Sequence, residues 1–164
     1  MERVIDVAQF VYDEYKTISN SAIDEMKLHK LLYLSQREAI AITNEPLFEA
    51  SFEGWKYGPV CRTIRSSFTS DGFAEPTEPL SFDSAYIVRN VLAQYAHIES
   101  WKLSELTHKE TSWKNARQNL KAEENGNVEL KMDDIRFDAS KVRPYDAIWD
   151  MYYDEFEDAE NFAE

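Results

Sequence analysis

The chain has 164 residues, 43% of them hydrophobic, which is enough for one domain with a true core. Its 31 acidic and 18 basic residues give a net charge of −13, which disfavours general nucleic-acid binding, since that binding uses Lys and Arg to neutralise phosphates. The single cysteine, Cys61, excludes a disulfide framework. No apolar run is long enough to span a membrane, so we expect a cytoplasmic protein without a membrane partner.

The first part of the sequence predicts two helices. Apolar residues recur at helical spacing over residues 3–16. Ser21, with Asp24 three residues later, resembles a capping box, so a second helix is expected over about 21–43. Its middle is apolar on nearly every side, which is typical of a helix at the centre of a bundle.

A break follows, and it contains the most site-like turn of the chain. Residues 47–57 are rich in aromatics and predict an extended segment. Pro59 cannot continue a helix but often begins one, so a helix is expected over 59–68. The free N–H groups at that helix start, beside Lys56 and Tyr57, suggest a binding surface.

The second part predicts mostly short helices. Ser81 is a good N-cap for a helix over 82–98, a shorter one is expected over 101–109, and Thr111 can cap the next. A short strand is possible at 128–131 and a helical turn at 133–139. The predicted fold is therefore mainly α: a compact helical bundle with an extended or β segment around 47–57 and a second candidate at 128–131.

The end of the sequence combines an apolar stripe with strong negative charge. Tyr145, Trp149, Tyr152 and Phe156 fall on one face of a predicted helix, while residues 144–164 carry eight acids and no base. This acidic amphipathic helix either covers the bundle or docks on a partner whose surface is basic.

Catalytic patterns are weak. His29, His97 and His108 have no metal-binding spacing, and four glycines provide no phosphate loop. Cys61 is read as a small buried hydrophobe rather than a nucleophile. We therefore expect no metal or cofactor, and a binding protein rather than an enzyme.

Four sequence blocks together resemble one family. They are MKLHKLLY at 26–33, PLF at 46–48, FEGWKYGPV at 52–60, and LSELTH at 103–108 followed by WKNAR at 113–117. In this order they look like the Panacea, or SocA-like antitoxin, domain over about residues 4–120. His29, Gly54 and Cys61 depart from the usual family residues.

The resemblance implies an antitoxin of a bacterial or phage-borne type II toxin–antitoxin system, which neutralises a protein toxin encoded by an adjacent gene through direct binding. It places the domain at 1–122 and leaves a C-terminal extension at 123–164, packed on the same domain. The candidate toxin-binding residues come from the turn and the acidic helix: Lys56, Tyr57, Pro59, Arg62, Tyr145, Trp149, Tyr152 and Phe156. The remaining motif residues are expected to hold the fold: Lys30, Trp55, Gly58, Thr107, His108, Trp113 and Arg117.

Three other functions stay open. The chain could be a DNA-binding regulator that reads DNA with Arg62 and Arg65, although direct nucleic-acid binding is disfavoured by the net charge. It could be an adaptor that delivers the toxin to a protease, as one member type of the family does. An enzyme would need a pocket that joins His108 to other polar groups. The sequence leaves open whether the chain forms a homo-oligomer or only a hetero-oligomer with the toxin.

Overall fold

A computed structural model describes residues 1–144, and seven helices surround one hydrophobic core in this part of the chain. The helices are α1 (Val4–Ser19), α2 (Glu25–Thr43), α3 (Arg62–Ser67), α4 (Phe82–Tyr95), α5 (Ser100–His108), α6 (Thr111–Ala116) and α7 (Met132–Ser140). The strands form two antiparallel pairs: β1 (Glu53–Trp55) with β2 (Gly58–Val60), and β3 (Phe68–Thr69) with β4 (Gly72–Phe73). The predicted mainly α fold is confirmed.

Helix α2 lies at the centre of the bundle, as its apolar surface predicted. It contacts α1, α4, α5 and α7, and its leucines are almost completely buried. The Asp24 carboxylate accepts a hydrogen bond from the backbone N–H of Lys27, so Asp24 is the N-cap. The prediction that this helix begins near Ser21 is therefore wrong. The capping oxygen belongs to Asp24, and the helix begins at the next residue, Glu25.

The buried side-chain amide of Gln36 binds the backbone of the segment that follows α2. The Gln36 side chain donates to the carbonyl of Phe48 at 2.9 Å and accepts from the N–H of Leu47 at 2.8 Å. Together with an isolated parallel bridge, in which the Glu2 N–H donates to the Leu47 carbonyl at 2.8 Å, these bonds pair the buried backbone at 47–48. Regular strand pairing starts only at Glu53, so the extended segment predicted over 47–57 is partly strand and partly a pinned loop.

The helix predicted to begin at Pro59 begins instead at Arg62, with Cys61 as its N-cap residue. Pro59 lies in β2, opposite Gly54. The N–H of Gly54 donates to the carbonyl of Val128, on the other side of β1, so this pair requires no hydrogen bond from Pro59. Pro59 is therefore tolerated in the ladder, and the expected helix N-terminus beside Lys56 does not exist.

Segment 123–144 packs on the same bundle. The backbone at 128–130 runs antiparallel to β1, with Leu130 donating to the Phe52 carbonyl. Helix α7 packs against α2 and α6. Residues 145–164, which include Tyr145, Trp149, Tyr152 and Phe156, lie outside the described part of the chain. Within 1–144, no helix is both long and apolar enough to cross a membrane.

A buried polar network joins α2 to the later helices. Arg37 and Glu110 form an ion pair of 2.6 Å between Nη1 and Oε1, and both side chains are nearly enclosed. The Tyr33 hydroxyl donates to Glu110 at 3.0 Å and lies 3.4 Å from the Asp138 carboxylate. Burial raises the pKa of Tyr33 above its ordinary value, so its hydroxyl remains a hydrogen-bond donor at neutral pH.

The N-terminus of α6 is capped by a side chain of α7, Asp138, rather than by Thr111, the first residue of α6. The Asp138 carboxylate accepts hydrogen bonds of 2.8 Å from the backbone N–H groups of Thr111 and Ser112. The expectation that Thr111 caps this helix is wrong, because the residue at the N-cap position is Glu110 and it makes no side-chain cap. The remote carboxylate satisfies the free N–H groups of the first turn.

Candidate functional site

The β1–β2 hairpin turns sharply at the exposed end of the bundle. Trp55 pairs with Gly58, which leaves Lys56 and Tyr57 as a two-residue turn. Gly58 has a φ of +129°, which side chains rarely allow. A Cβ at Gly58 would lie 2.8 Å from Oγ1 of Thr107, so a larger residue would push the hairpin away from α5.

Helix α6 and the turn after it hold the hairpin from the other side. Trp113 Nε1 donates to the Trp55 carbonyl at 2.8 Å, and Arg117 Nη1 donates to the Gly54 carbonyl at 3.1 Å. The ring of His108 stacks on Trp113, with 4.1 Å between ring centroids. Trp113 and Arg117 therefore both bind the backbone of β1.

A cleft of about 330 Å³ opens between the hairpin and the start of α2. We call it the Lys30 cleft. Helix α2 contributes Glu25, Met26, His29 and Lys30, and the hairpin contributes residues 55–60. Met26 and Tyr57 are 40% and 54% exposed. The cleft therefore combines mostly apolar walls with a few polar groups from α2, which is a common composition for a binding site.

Lys30 is the most unusual group in the cleft. The residue is 2% exposed, and its Nζ makes one long hydrogen bond of 3.4 Å, to the carbonyl of Met26. Burial lowers the pKa of Lys30 to about 8, against an ordinary value of 10.5. The amine is still mostly protonated at neutral pH, so the cleft contains a poorly satisfied positive charge.

His29 is neutral by contrast. Its Nδ1 accepts a hydrogen bond from the N–H of Cys61 at 3.2 Å, and burial lowers its pKa to about 4. Its Nε2 lies 3.5 Å from a Glu25 oxygen. Cys61 is itself buried, which raises the pKa of its thiol and agrees with its reading as a small hydrophobe.

Two arginines flank the cleft and are already paired. Arg62 bonds Glu53 at 2.9 Å, and Arg65 lies 3.3 Å from Glu25. Both guanidinium groups also lie over the Trp55 ring, at 5.8 and 4.9 Å from its centroid. The pairing neutralises the charges that a DNA-reading helix would need, and α3 has only six residues.

The profile described as "Antitoxin SocA-like, Panacea domain" matches residues 28–114, just over half of the chain. The chain belongs to this family. No curated protein and no solved structure matches it. The matched region contains most of α2, the hairpin, α5 and the start of α6, so the Panacea domain supplies most of the cleft.

The predicted site residues of this Panacea domain differ in their exposure and in whether they line the cleft. Lys56, Tyr57 and Arg62 lie at the surface, with Lys56 half-buried beside the Tyr57 ring at 5.2 Å. Pro59 is buried and lines the cleft, so a partner would reach it only from inside. Among the residues predicted to be structural, Lys30 and Trp55 line the cleft, whereas Thr107 is fully buried behind Gly58.

Sequence reasoning missed the contribution of α2 to the site. Met26, His29 and Lys30 were assigned to the motif or the core, yet all three line the cleft of this Panacea domain. A signal was available, because these residues are spaced i, i+3 and i+4 and therefore share one helix face. Two of them are polar although α2 was expected at the centre of the bundle, which is the more informative observation.

Proposed function

We propose that this chain is the antitoxin of a type II toxin–antitoxin system and neutralises a protein toxin by direct binding. The proposal rests on membership of the SocA-like antitoxin family together with the Lys30 cleft. The rim of the cleft exposes Met26 and Tyr57 next to charged groups. Aromatic and Met side chains of this kind are enriched in protein–protein interfaces.

The charge of the chain supports the same function. A toxin that attacks nucleic acids or nucleotides needs a basic surface, and a chain of net charge −13 would be steered towards it. The pairing of Arg62 and Arg65 with carboxylates weighs against DNA reading by this part of the molecule. We therefore propose masking of a toxin rather than operon binding as the primary activity.

Co-expression tests this function. The reading frames next to the gene are expressed alone and together with this chain, and growth and co-purification are measured. We expect one frame to be toxic alone, harmless with this chain, and recovered in a complex with it. A chain that restores growth without forming a complex, or that shifts upstream operon DNA and binds no neighbouring product, would contradict the proposal.

A further inference from the structure

The environment of Lys30 lacks a counter-ion. An ammonium group has three N–H donors, and within residues 1–144 the Lys30 amine makes a single hydrogen bond, to a backbone carbonyl at 3.4 Å. The acid with an electrostatic effect on this amine is Asp24. That carboxylate is already used, since it caps α2 through the Lys27 N–H and accepts from the Ser100 hydroxyl. A buried charge without a partner is costly, so the site favours an added anion.

The charges around the cleft point in the same direction. Its lining contains the bases Lys30, Lys56 and Arg65 and the acid Glu25. Because Glu25 is paired with Arg65, two lysines remain without an acidic partner within the described residues. This local excess of positive charge lies on a protein whose net charge is −13. A negatively charged group is attracted to this cleft and repelled by much of the remaining surface.

The rim indicates that the anion belongs to a protein. Met26 and Tyr57 stand exposed at the mouth, and half-buried Trp55 lies inside it. A small inorganic anion would leave these apolar surfaces in water, whereas an acidic side chain with an apolar neighbour in the same segment would cover them. The volume of about 330 Å³ is sufficient for one or two side chains.

We propose that the Lys30 cleft receives an acidic side chain of the toxin, with its carboxylate bound by the Lys30 ammonium and an adjacent apolar side chain packed between Met26 and Tyr57. This inference rests on the proposed antitoxin function. It also gives Lys30 a binding role in place of the structural role expected from its motif. A structural lysine would be paired within the fold, whereas this one is satisfied only when a partner arrives.

The first experiment measures the affinity of the toxin encoded by the neighbouring gene for wild type, for Lys30→Met and for a matched control, Lys102→Met. Lys102 is an exposed residue of α5. We expect Lys30→Met to weaken binding at least about tenfold, as loss of a buried charged partner does. The control should bind as wild type. Thermal unfolding must show that Lys30→Met is folded; a folded variant with unchanged affinity would overturn the proposal.

A second experiment distinguishes an error in the proposed role of the cleft from an error in the proposed antitoxin function. If wild type binds no neighbouring product, the antitoxin proposal fails, and the cleft is then tested alone with the peptide acetyl-Leu-Glu-Phe-amide and its Gln counterpart. Binding of the Glu peptide that is lost in Lys30→Met supports the cleft. Equal binding of both peptides, no binding of either, or binding of inorganic phosphate in preference to the Glu peptide would overturn it.

Discussion

At the scale of single residues, the free energy of burying Lys30 is set by its protonation. Its pKa in the folded protein is about 8 and its ordinary value is 10.5, so between these values the unfolded chain binds more protons than the folded one. Stability therefore rises with pH over this window. Below about pH 8 the amine is charged in both states, and the cost of burial is fully present.

Lys30→Met is expected to increase the free energy of unfolding at pH 7, by about 1 kcal/mol, because it removes an unpaired buried charge. The gain should shrink between pH 8 and 10.5. Burial lowers the pKa values of His29 and His108, so both imidazoles stay neutral over this range.

Denaturant titration at pH 7 and pH 9.5 measures the change, with Lys102→Met as an exposed control. Lys56, in the hairpin turn, faces the same cleft and is left unaltered in both proteins. An equal loss of stability at both pH values would show that Lys30 supports the fold through packing and would contradict the expected sign.

Arg117 tests the prediction that residues of the last motif block hold the fold. The residue is 6% exposed, and its guanidinium donates to the Gly54 carbonyl at 3.1 Å and lies 5.2 Å from the Trp113 ring centroid. Arg117→Ala leaves the buried Gly54 carbonyl without this donor and removes a buried side chain, so we expect a loss of roughly 2–3 kcal/mol in the free energy of unfolding. Urea denaturation measures it. A variant that folds normally and yet loses toxin neutralisation would show that Arg117 acts in binding.

At the scale of elements, α6 is a six-residue helix that depends on α7 for its cap. Asp138→Ala removes the acceptor for the N–H groups of Thr111 and Ser112, and we expect a loss of about 2 kcal/mol. Because α6 and the following turn hold the hairpin, amide exchange at residues 53–60 should also accelerate.

The exposed Asp133, on the first turn of α7, provides the control as Asp133→Ala. Hydrogen exchange followed by mass spectrometry compares the two variants with wild type. Equal protection of the hairpin amides from exchange in all three proteins would mean that the stability of β1 and β2 does not depend on the cap of α6.

The elements that could be predicted from sequence were those with a strong local signal. The apolar surface of α2 and the Ser81 cap of α4 follow from nearby residues, and both are observed. The hairpin could not be placed in this way. Pro59 is as compatible with a helix start as with a strand position that needs no N–H, and the choice depends on Val128, about seventy residues later.

The candidate site shows the same limit. The turn at Lys56 and Tyr57 was identified from its sequence, because Gly-Pro after aromatic residues marks a break. The interior of the cleft was not, since the burial of Lys30 depends on the packing of α5 and the hairpin against α2. The caps of α6 likewise come from Asp138, which lies on another helix.

At the scale of the whole molecule, the negative charge is concentrated beyond the described residues. Residues 144–164 carry eight acids and no base. We predict that this segment steers the toxin, so deleting residues 145–164 should slow association and reduce its dependence on salt. Stopped-flow or surface-based kinetics at low and moderate ionic strength measures the effect. Unchanged affinity at low salt would contradict the prediction.

The central claim is that the hairpin and cleft form the surface that binds a toxin, and Tyr57 tests it most directly. Tyr57 is exposed at the rim, and Phe82, more exposed on α4, is the matched aromatic control. Calorimetric titration of the toxin into wild type, Tyr57→Ala and Phe82→Ala is the decisive measurement. We predict that Tyr57→Ala weakens binding about tenfold or more without loss of thermal stability, while Phe82→Ala binds as wild type. Wild-type affinity in Tyr57→Ala, or a loss confined to Phe82→Ala, would contradict the claim.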